Sequence, residues 1–133
     1  MARIYGPNSH IYVIAWSPRG PTKIGRAGDP IQRLADLQVA NPYLLLICFA
    51  ACLTGERVVN FEGKIHDRLE RHALIGEWFR IQPALAKSYV IAFLNEANVL
   101  WNRWQPPAAA VLARQAILER TARNTLDRRS RNA

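Results

Sequence analysis

The chain has 133 residues, of which 50% are hydrophobic and 21% charged. This composition is typical of one globular domain and excludes a disordered or fibrous chain. The longest apolar run, residues 43–53, is too short for a membrane span of about 20 residues. No apolar signal segment follows Met1. We therefore expect a soluble cytoplasmic protein without a membrane partner.

The charge predicts a polyanionic partner. Eighteen Lys and Arg residues against ten Asp and Glu residues give a net charge of +8. Residues 106–133 are especially basic, because they contain six Arg against Glu119 and Asp127. The planar Arg side chain can bond two phosphate oxygens at once, so the charge favours nucleic acid as the partner. A basic surface that serves only solubility is the alternative.

The first half of the chain predicts a hairpin, a helix and a third strand. Residues 10–17 are rich in β-branched and aromatic types, and residues 22–25 form a returning strand after a turn rich in Pro and Gly. Asp29 and Pro30 begin a helix that ends before Pro42. The apolar run 43–53 fits a central strand buried on both faces, although periodicity alone leaves a buried helix open.

Cys48 and Cys52 lie on this third strand. Four strand steps separate their Cα atoms by roughly 13 Å. A disulfide requires Cα atoms within about 7 Å, so the spacing excludes a bridge between them. We predict two buried free thiols.

The second half predicts two further helices and a basic tail. One helix is expected from Thr54 to about His72 and another from Pro83 to about Trp104, with a short extended segment at residues 77–81 between them. Residues 108–131 form an Arg-rich helix. The order predicts an α+β fold with a small three-stranded antiparallel sheet flanked by helices. The expected division is a domain at residues 1–105 and a basic helical tail at residues 106–133.

Two short motifs lie on the predicted hairpin. His10, Ile11 and Tyr12 begin its first strand, and residues 23–25, Lys-Ile-Gly, lie on the second. With these motifs, residues 10–81 resemble the GIY-YIG endonuclease domain, although His10 replaces a glycine and Lys23 a tyrosine of the signatures. A phage and bacterial branch of that family is more similar still. The residues that match this branch are Lys23 to Arg26, Asp29, Pro30, Arg33, Leu34, Leu37, Gln38, Asn41, Pro42, Glu62, His66 and Gly76 to Phe79.

The resemblance implies a metal-dependent DNA endonuclease or nickase with a one-metal mechanism. Tyr12 would act as the general base, Arg33 would hold the scissile phosphate, and Glu62 would bind Mg²⁺ or Mn²⁺. Pairing of the hairpin strands can set Lys23 opposite Tyr12, where its charge would lower the pKa of the phenol. His66, one helical turn after Glu62, would order metal-bound water or contact phosphate, or would simply pack in the helix.

The remaining basic residues are predicted to contact DNA. Arg26 follows the second motif and is expected to bind a phosphate. Sequence-independent phosphate contacts are expected from the tail residues Arg114, Arg120, Arg123, Arg128 and Arg129. Two other functions stay open: a catalytically silent DNA-binding module on the same scaffold, and a protein-interaction domain whose basic tail binds a partner.

Overall fold

A computed structural model describes residues 4–5, 9–54, 58–59 and 61–131. The strands are β1 (Ile4–Tyr5), β2 (Ser9–Ala15), β3 (Thr22–Ala27), β4 (Leu46–Leu53), β5 (Val58–Val59), β6 (Trp78–Phe79) and β7 (Trp101–Arg103). The helices are α1 (Pro30–Gln38), α2 (Phe61–Arg68), α3 (Pro83–Glu96) and α4 (Ala108–Arg131), and a 3₁₀ turn spans Glu70–His72.

The main sheet has five antiparallel strands in the order β6-β3-β2-β4-β7. The α+β class agrees with the sequence prediction, and the three predicted strands form the centre of this sheet. The predicted three-stranded sheet is nevertheless too small, because β6 pairs with β3 and β7 pairs with β4. β1 and β5 form a separate two-stranded sheet.

The helix that begins at Pro83 ends earlier than predicted. Its last residue is Glu96, and Asn98 adopts a positive φ of 55°. The N–H groups of Asn98 and Val99 then bond back to the carbonyls of Asn95 and Leu94, at 3.2 and 2.9 Å. This pair of hydrogen bonds is the Schellman ending, for which Asn is one of the suitable residues. The chain reverses there, so the residues predicted as the last turns of the helix form β7.

The helix predicted from Thr54 also has different bounds. Val58 and Val59 form a strand, and α2 begins only at Phe61. Thr54 is extended, and its N–H donates to the carbonyl of Leu100 at 2.9 Å. The part of the prediction that covers residues 55–57 and 60 lies outside the described residues. At the other end, α2 gives way to the 3₁₀ turn after Arg68, close to the predicted boundary.

The sheet separates two apolar clusters. Ile11 and Val13 of β2 belong to the larger cluster, which α2 and α3 cover, whereas Tyr12 and Ile14 belong to the cluster beneath α1. This division follows from the two-residue period of a strand, which turns successive side chains to opposite faces. Tyr12 is therefore directed towards α1, the helix that carries Arg33.

The two cysteines are less buried than predicted. Cys48 is exposed and Cys52 is half-buried, and both are free thiols. The prediction of burial on both faces fails at the beginning of β4, because Leu46 and Cys48 line an open groove between β4, α1 and the first turns of α4. Among the described residues, no helix is long and apolar enough to cross a membrane.

Candidate active site

Gly25 is the centre of the candidate site. It pairs with Tyr12 across the β2–β3 ladder, and the Tyr12 side chain lies directly over it. A Cβ atom at position 25 would collide with the Tyr12 hydroxyl and would stand 2.9 Å from Glu77 Oε2. Only glycine leaves this space, so the phenol can lie buried over β3 with its hydroxyl beside Glu77.

Lys23 does not pair with Tyr12, contrary to the prediction. The register places Lys23 opposite Ile14, two residues along the strand from Gly25. The side chains of Lys23 and Tyr12 are on the same face of the sheet. The Lys23 ammonium nevertheless contacts Glu77, with Nζ 3.2 Å from Oε2. The ammonium is largely buried and lies 5.7 Å from the centre of the Trp78 ring. Lys23 is thus an ion-pair partner of Glu77.

Arg33 is the basic residue that contacts Tyr12. Asp29 accepts a hydrogen bond from the Ile31 N–H at 3.0 Å and Pro30 occupies the first turn, so α1 begins as predicted. Arg33 follows within the same helix, and its Nε donates to the Tyr12 hydroxyl at 3.4 Å. The hydrogen bond with Tyr12 and the electrostatic interaction with Tyr12 raise the pKa of Arg33, which therefore stays a cation.

Glu62 and Glu77 form a carboxylate pair. Glu62 lies in the first turn of α2, Glu77 precedes β6, and Glu62 is a close neighbour of the Glu77 side chain. Burial alone would raise the pKa of Glu77, but its interactions with Glu62 and with the charge of Lys23 hold that pKa below its usual value.

Glu77 is the site residue that the sequence analysis did not identify. It appeared there only as one letter of the Gly-Glu-Trp-Phe match, without a role. The sequence did contain a signal of a functional role, because an acidic residue directly before two aromatic strand residues is unusual in a buried segment. Its partner and its position over Gly25 depend on the pairing of β6 with β3, which the sequence did not predict.

His66 packs at the border of the site. Its Nε2 lies 2.8 Å from the carbonyl oxygen of Ile24, and its ring meets the edge of Phe79 at 5.1 Å. A carbonyl only accepts, so Nε2 carries the proton and Nδ1 holds the lone pair when the ring is neutral. His66 also contributes to holding down the pKa of Glu77.

The pKa of Tyr12 is raised, which is opposite to the predicted direction. Burial is the largest cause, and the nearby carboxylates of Glu77 and Glu62 add to it. Arg33 opposes the shift through its hydrogen bond and its charge. Lys23 is instead paired with Glu77. The phenol is therefore protonated at neutral pH.

The predicted DNA-binding arginines lie on two elements. Arg26 is half-buried on β3, directly after Gly25. Arg114 is half-buried near the beginning of α4, where its Nη2 donates to Gln38 Oε1 at 3.2 Å and burial lowers its pKa. The other predicted residues, Arg120, Arg123, Arg128 and Arg129, are exposed on the same helix.

The carboxylate pair fits a hard divalent cation. Among the described residues, no group of three or more His, Cys, Asp or Glu side chains is arranged around a possible metal position. Mg²⁺ commonly takes only one or two protein carboxylates and keeps several waters. Glu62 and Glu77 supply such a pair of oxygen donors next to the Tyr12 hydroxyl.

Comparison with known proteins gives one match. The family model of the T5orf172 domain matches residues 9–97, a span that extends from β2 to the end of α3 and includes the whole cluster around Gly25. No curated protein and no solved structure matches the chain.

Proposed function

Because the chain belongs to the T5orf172 domain family, a phage-associated domain of the nuclease type, we propose that it is a metal-dependent DNA endonuclease or nickase of the GIY-YIG kind. The observation that carries the proposal is the convergence of a phenol, two cations and two carboxylates at Gly25. These are the groups that phosphodiester hydrolysis requires: a base, phosphate ligands and a metal site.

Tyr12 is the proposed general base, and Arg33 is the proposed phosphate ligand. The Tyr12 hydroxyl is close enough to Arg33 Nε, at 3.4 Å, for one substrate phosphate to meet both groups. Arg33 would then stabilise the negative charge that develops on the phosphoryl oxygens. Arg26, one residue after Gly25, is proposed to contact a neighbouring phosphate.

Glu62 and Glu77 would hold Mg²⁺ or Mn²⁺. A bound cation supplies charge neutralisation at the phosphate. The same neutralisation affects Tyr12, because Glu77 and Glu62 are two of the groups that raise its pKa. With their charges balanced, the burial of the phenol would still raise its pKa, and Arg33 would oppose that effect and favour the phenolate.

A catalytically silent DNA-binding module is the second candidate. Its support is the raised pKa of Tyr12 together with the Lys23–Glu77 ion pair, which uses the charge that was expected to activate the base. Such a module would keep the basic surface and bind DNA without cutting it.

A plasmid-nicking assay with Mg²⁺ or Mn²⁺ separates the two candidates. We expect the wild type to convert supercoiled DNA to the nicked or linear form, and Glu62→Gln to reduce the rate by about 100-fold or more. The matched control is Glu70→Gln, which changes an exposed acid in the 3₁₀ turn after α2. DNA affinity measured without metal should be similar in all three proteins.

The outcomes are distinct. Full activity in Glu62→Gln would contradict the role of that carboxylate. A wild type that binds DNA in a salt-dependent manner without any cleavage would establish the silent module.

A further inference from the structure

An open groove lies beside the candidate active site. It has a volume of about 500 Å³ and is lined by Trp16, Pro21, Asn41, Leu74, Ile75 and Trp78. We call it the aromatic groove. The Trp16 ring stacks on Tyr43 at 5.3 Å and 19° and is tilted against Trp78 at the same distance. The aliphatic lining residues are Leu74 and Ile75, and Ile75 is 91% exposed.

The aromatic groove and the candidate active site share a wall. Trp78 directly follows Glu77 in the chain, and its ring lies 5.7 Å from Lys23 Nζ. Glu77 Oε2 is 3.2 Å from the same Nζ. Lys23 therefore contacts both Glu77 of the candidate active site and Trp78 of the aromatic groove, so the two sites are adjacent.

The lining of the groove is suited to a flat, apolar group that is attached to an anion. Trp rings such as those of Trp16 and Trp78 stack on nucleobases, and this contact tolerates any base because every base has a π face. Lys23 and Arg33 attract the phosphate that such a base would carry. A base inside a duplex is already stacked and paired, so only an unpaired or extruded base can enter.

We propose that the aromatic groove binds an unpaired nucleobase of the DNA strand that is held at the candidate active site. The substrate is then DNA with a single-stranded segment, a branch or an extruded nucleotide. This inference rests on the proposed function in that it takes DNA as the ligand. It adds the structural class of DNA, which the resemblance and the family match do not give.

Binding measured in EDTA tests the groove without cleavage. Three fluorescein-labelled DNAs are compared by anisotropy: a duplex with a single-stranded tail, the same duplex with abasic sites in the tail, and the blunt duplex. The abasic tail keeps every phosphate and removes the bases. We expect the wild type to bind the base-bearing tail about tenfold more tightly than the abasic tail, with quenching of tryptophan fluorescence only by the former.

Two exposed positions supply the variants. Tyr43→Ser and Ile75→Ser alter side chains that are 57% and 91% exposed, so the fold should persist, which thermal melting checks. We expect both variants to lose most of the preference for the base-bearing tail and to bind the blunt duplex as before. The matched control is Leu100→Ser, which changes a side chain that is 68% exposed next to β7, at the other edge of the sheet.

The inference is wrong if the wild type binds base-bearing and abasic tails equally. It is also wrong if the variants weaken blunt-duplex binding as much as tail binding. If the wild type prefers the base-bearing tail but never cleaves DNA with Mg²⁺ or Mn²⁺, the inference about the groove is supported and the proposed nuclease activity is contradicted.

Discussion

Gly25 links the backbone to the chemistry of the site. Its lack of a side chain gives the Tyr12 ring its place over β3, and that place brings the phenol to Arg33 and Glu77. The glycine in the second motif is thus needed for close packing, because no positive φ occurs at this position. Backbone freedom is not its role.

Gly25→Ala should displace the Tyr12 hydroxyl. We expect overpacking to lower the free energy of unfolding by about 1–3 kcal/mol and to abolish most of the activity in the nicking assay. Gly28→Ala is the matched control, because a Cβ at position 28 meets nothing within 4 Å. Urea denaturation and the nicking assay measure the two effects, and equal behaviour of the two variants would contradict the packing role of Gly25.

Arg33 should control the ionisation of Tyr12. Its hydrogen bond and its charge both lower the pKa of the phenol, so Arg33→Met should raise that pKa further. Tyrosinate absorbance, taken as the difference from the Tyr12→Phe protein, measures the change. The control Arg71→Met, which removes an exposed charge, should leave the pKa of Tyr12 unchanged. An unchanged titration in Arg33→Met would contradict the influence of Arg33 on the pKa of Tyr12.

The raised pKa of Tyr12 also has a consequence for stability. The folded-state pKa lies above the value of about 10 for the unfolded chain. The unfolded state therefore loses the proton first as pH rises, so the contribution of neutral Tyr12 is full below pH 10 and declines from there up to the folded pKa. We expect Tyr12→Phe to lose less stability than the wild type between pH 9 and 11, as measured by urea denaturation.

At the scale of elements, α4 differs from the rest of the chain. None of its residues is buried. Only its first turns approach the body of the protein, where Ala110, Val111 and Arg114 line the groove with α1 and β4. The later turns carry the exposed arginines. The helix thus has a short docked segment and a longer basic segment, and the two can be tested separately.

Two truncations should separate these segments. Ending the chain after Gln115 removes the exposed arginines and should flatten the salt dependence of DNA binding, by about 0.9 in the log–log slope for each phosphate that is no longer neutralised. Ending it after Pro107 also removes Arg114 and the docked turns, so it should in addition destabilise the fold by about 1 kcal/mol. Salt titrations and thermal melting measure these changes. An unchanged slope would show that the arginines do not face DNA.

At the scale of the whole molecule, the candidate site joins distant parts of the sequence. Tyr12, Gly25 and Arg33 come from consecutive elements, whereas Glu62 and Glu77 arrive from α2 and from the segment before β6. A cation held by these last two residues would bind only the folded protein. Its binding would therefore add to the free energy of unfolding of the whole chain.

Mn²⁺ should raise the melting temperature of the wild type. At a concentration of about 100 times Kd, the expected gain is about 2.7 kcal/mol, or several degrees. Glu62→Gln and Glu77→Gln should each lose most of this gain, and Glu70→Gln should keep it. The measurement needs no DNA. The same Mn²⁺ response in the wild type and in Glu62→Gln would contradict the carboxylate site.

Local patterns predicted the hairpin, α1 and the central strand, because each is long enough to show periodicity or has a recognisable cap. The features that the sequence analysis missed depend on contacts between residues that are far apart in the sequence. β7 has only three residues, too few for a pattern, and the position of Glu77 depends on β6 pairing with β3. The Tyr12–Lys23 error arose from the register, which the hairpin loop sets and which composition does not reveal. The candidate residues were identifiable from the sequence, but their partners were not.

The outer strands of the main sheet have a bearing on solubility. β6 is two residues long and β7 is three, whereas the central β2 and β4 have seven and eight residues. Fibrillar aggregation spreads when a long exposed strand offers its backbone to another molecule, and short edge strands limit this growth. Arg80 follows β6 directly, and Arg103 ends β7, so both edges also carry a charge. The two short edge strands thus limit edge-to-edge pairing of the sheet with neighbouring molecules at high concentration.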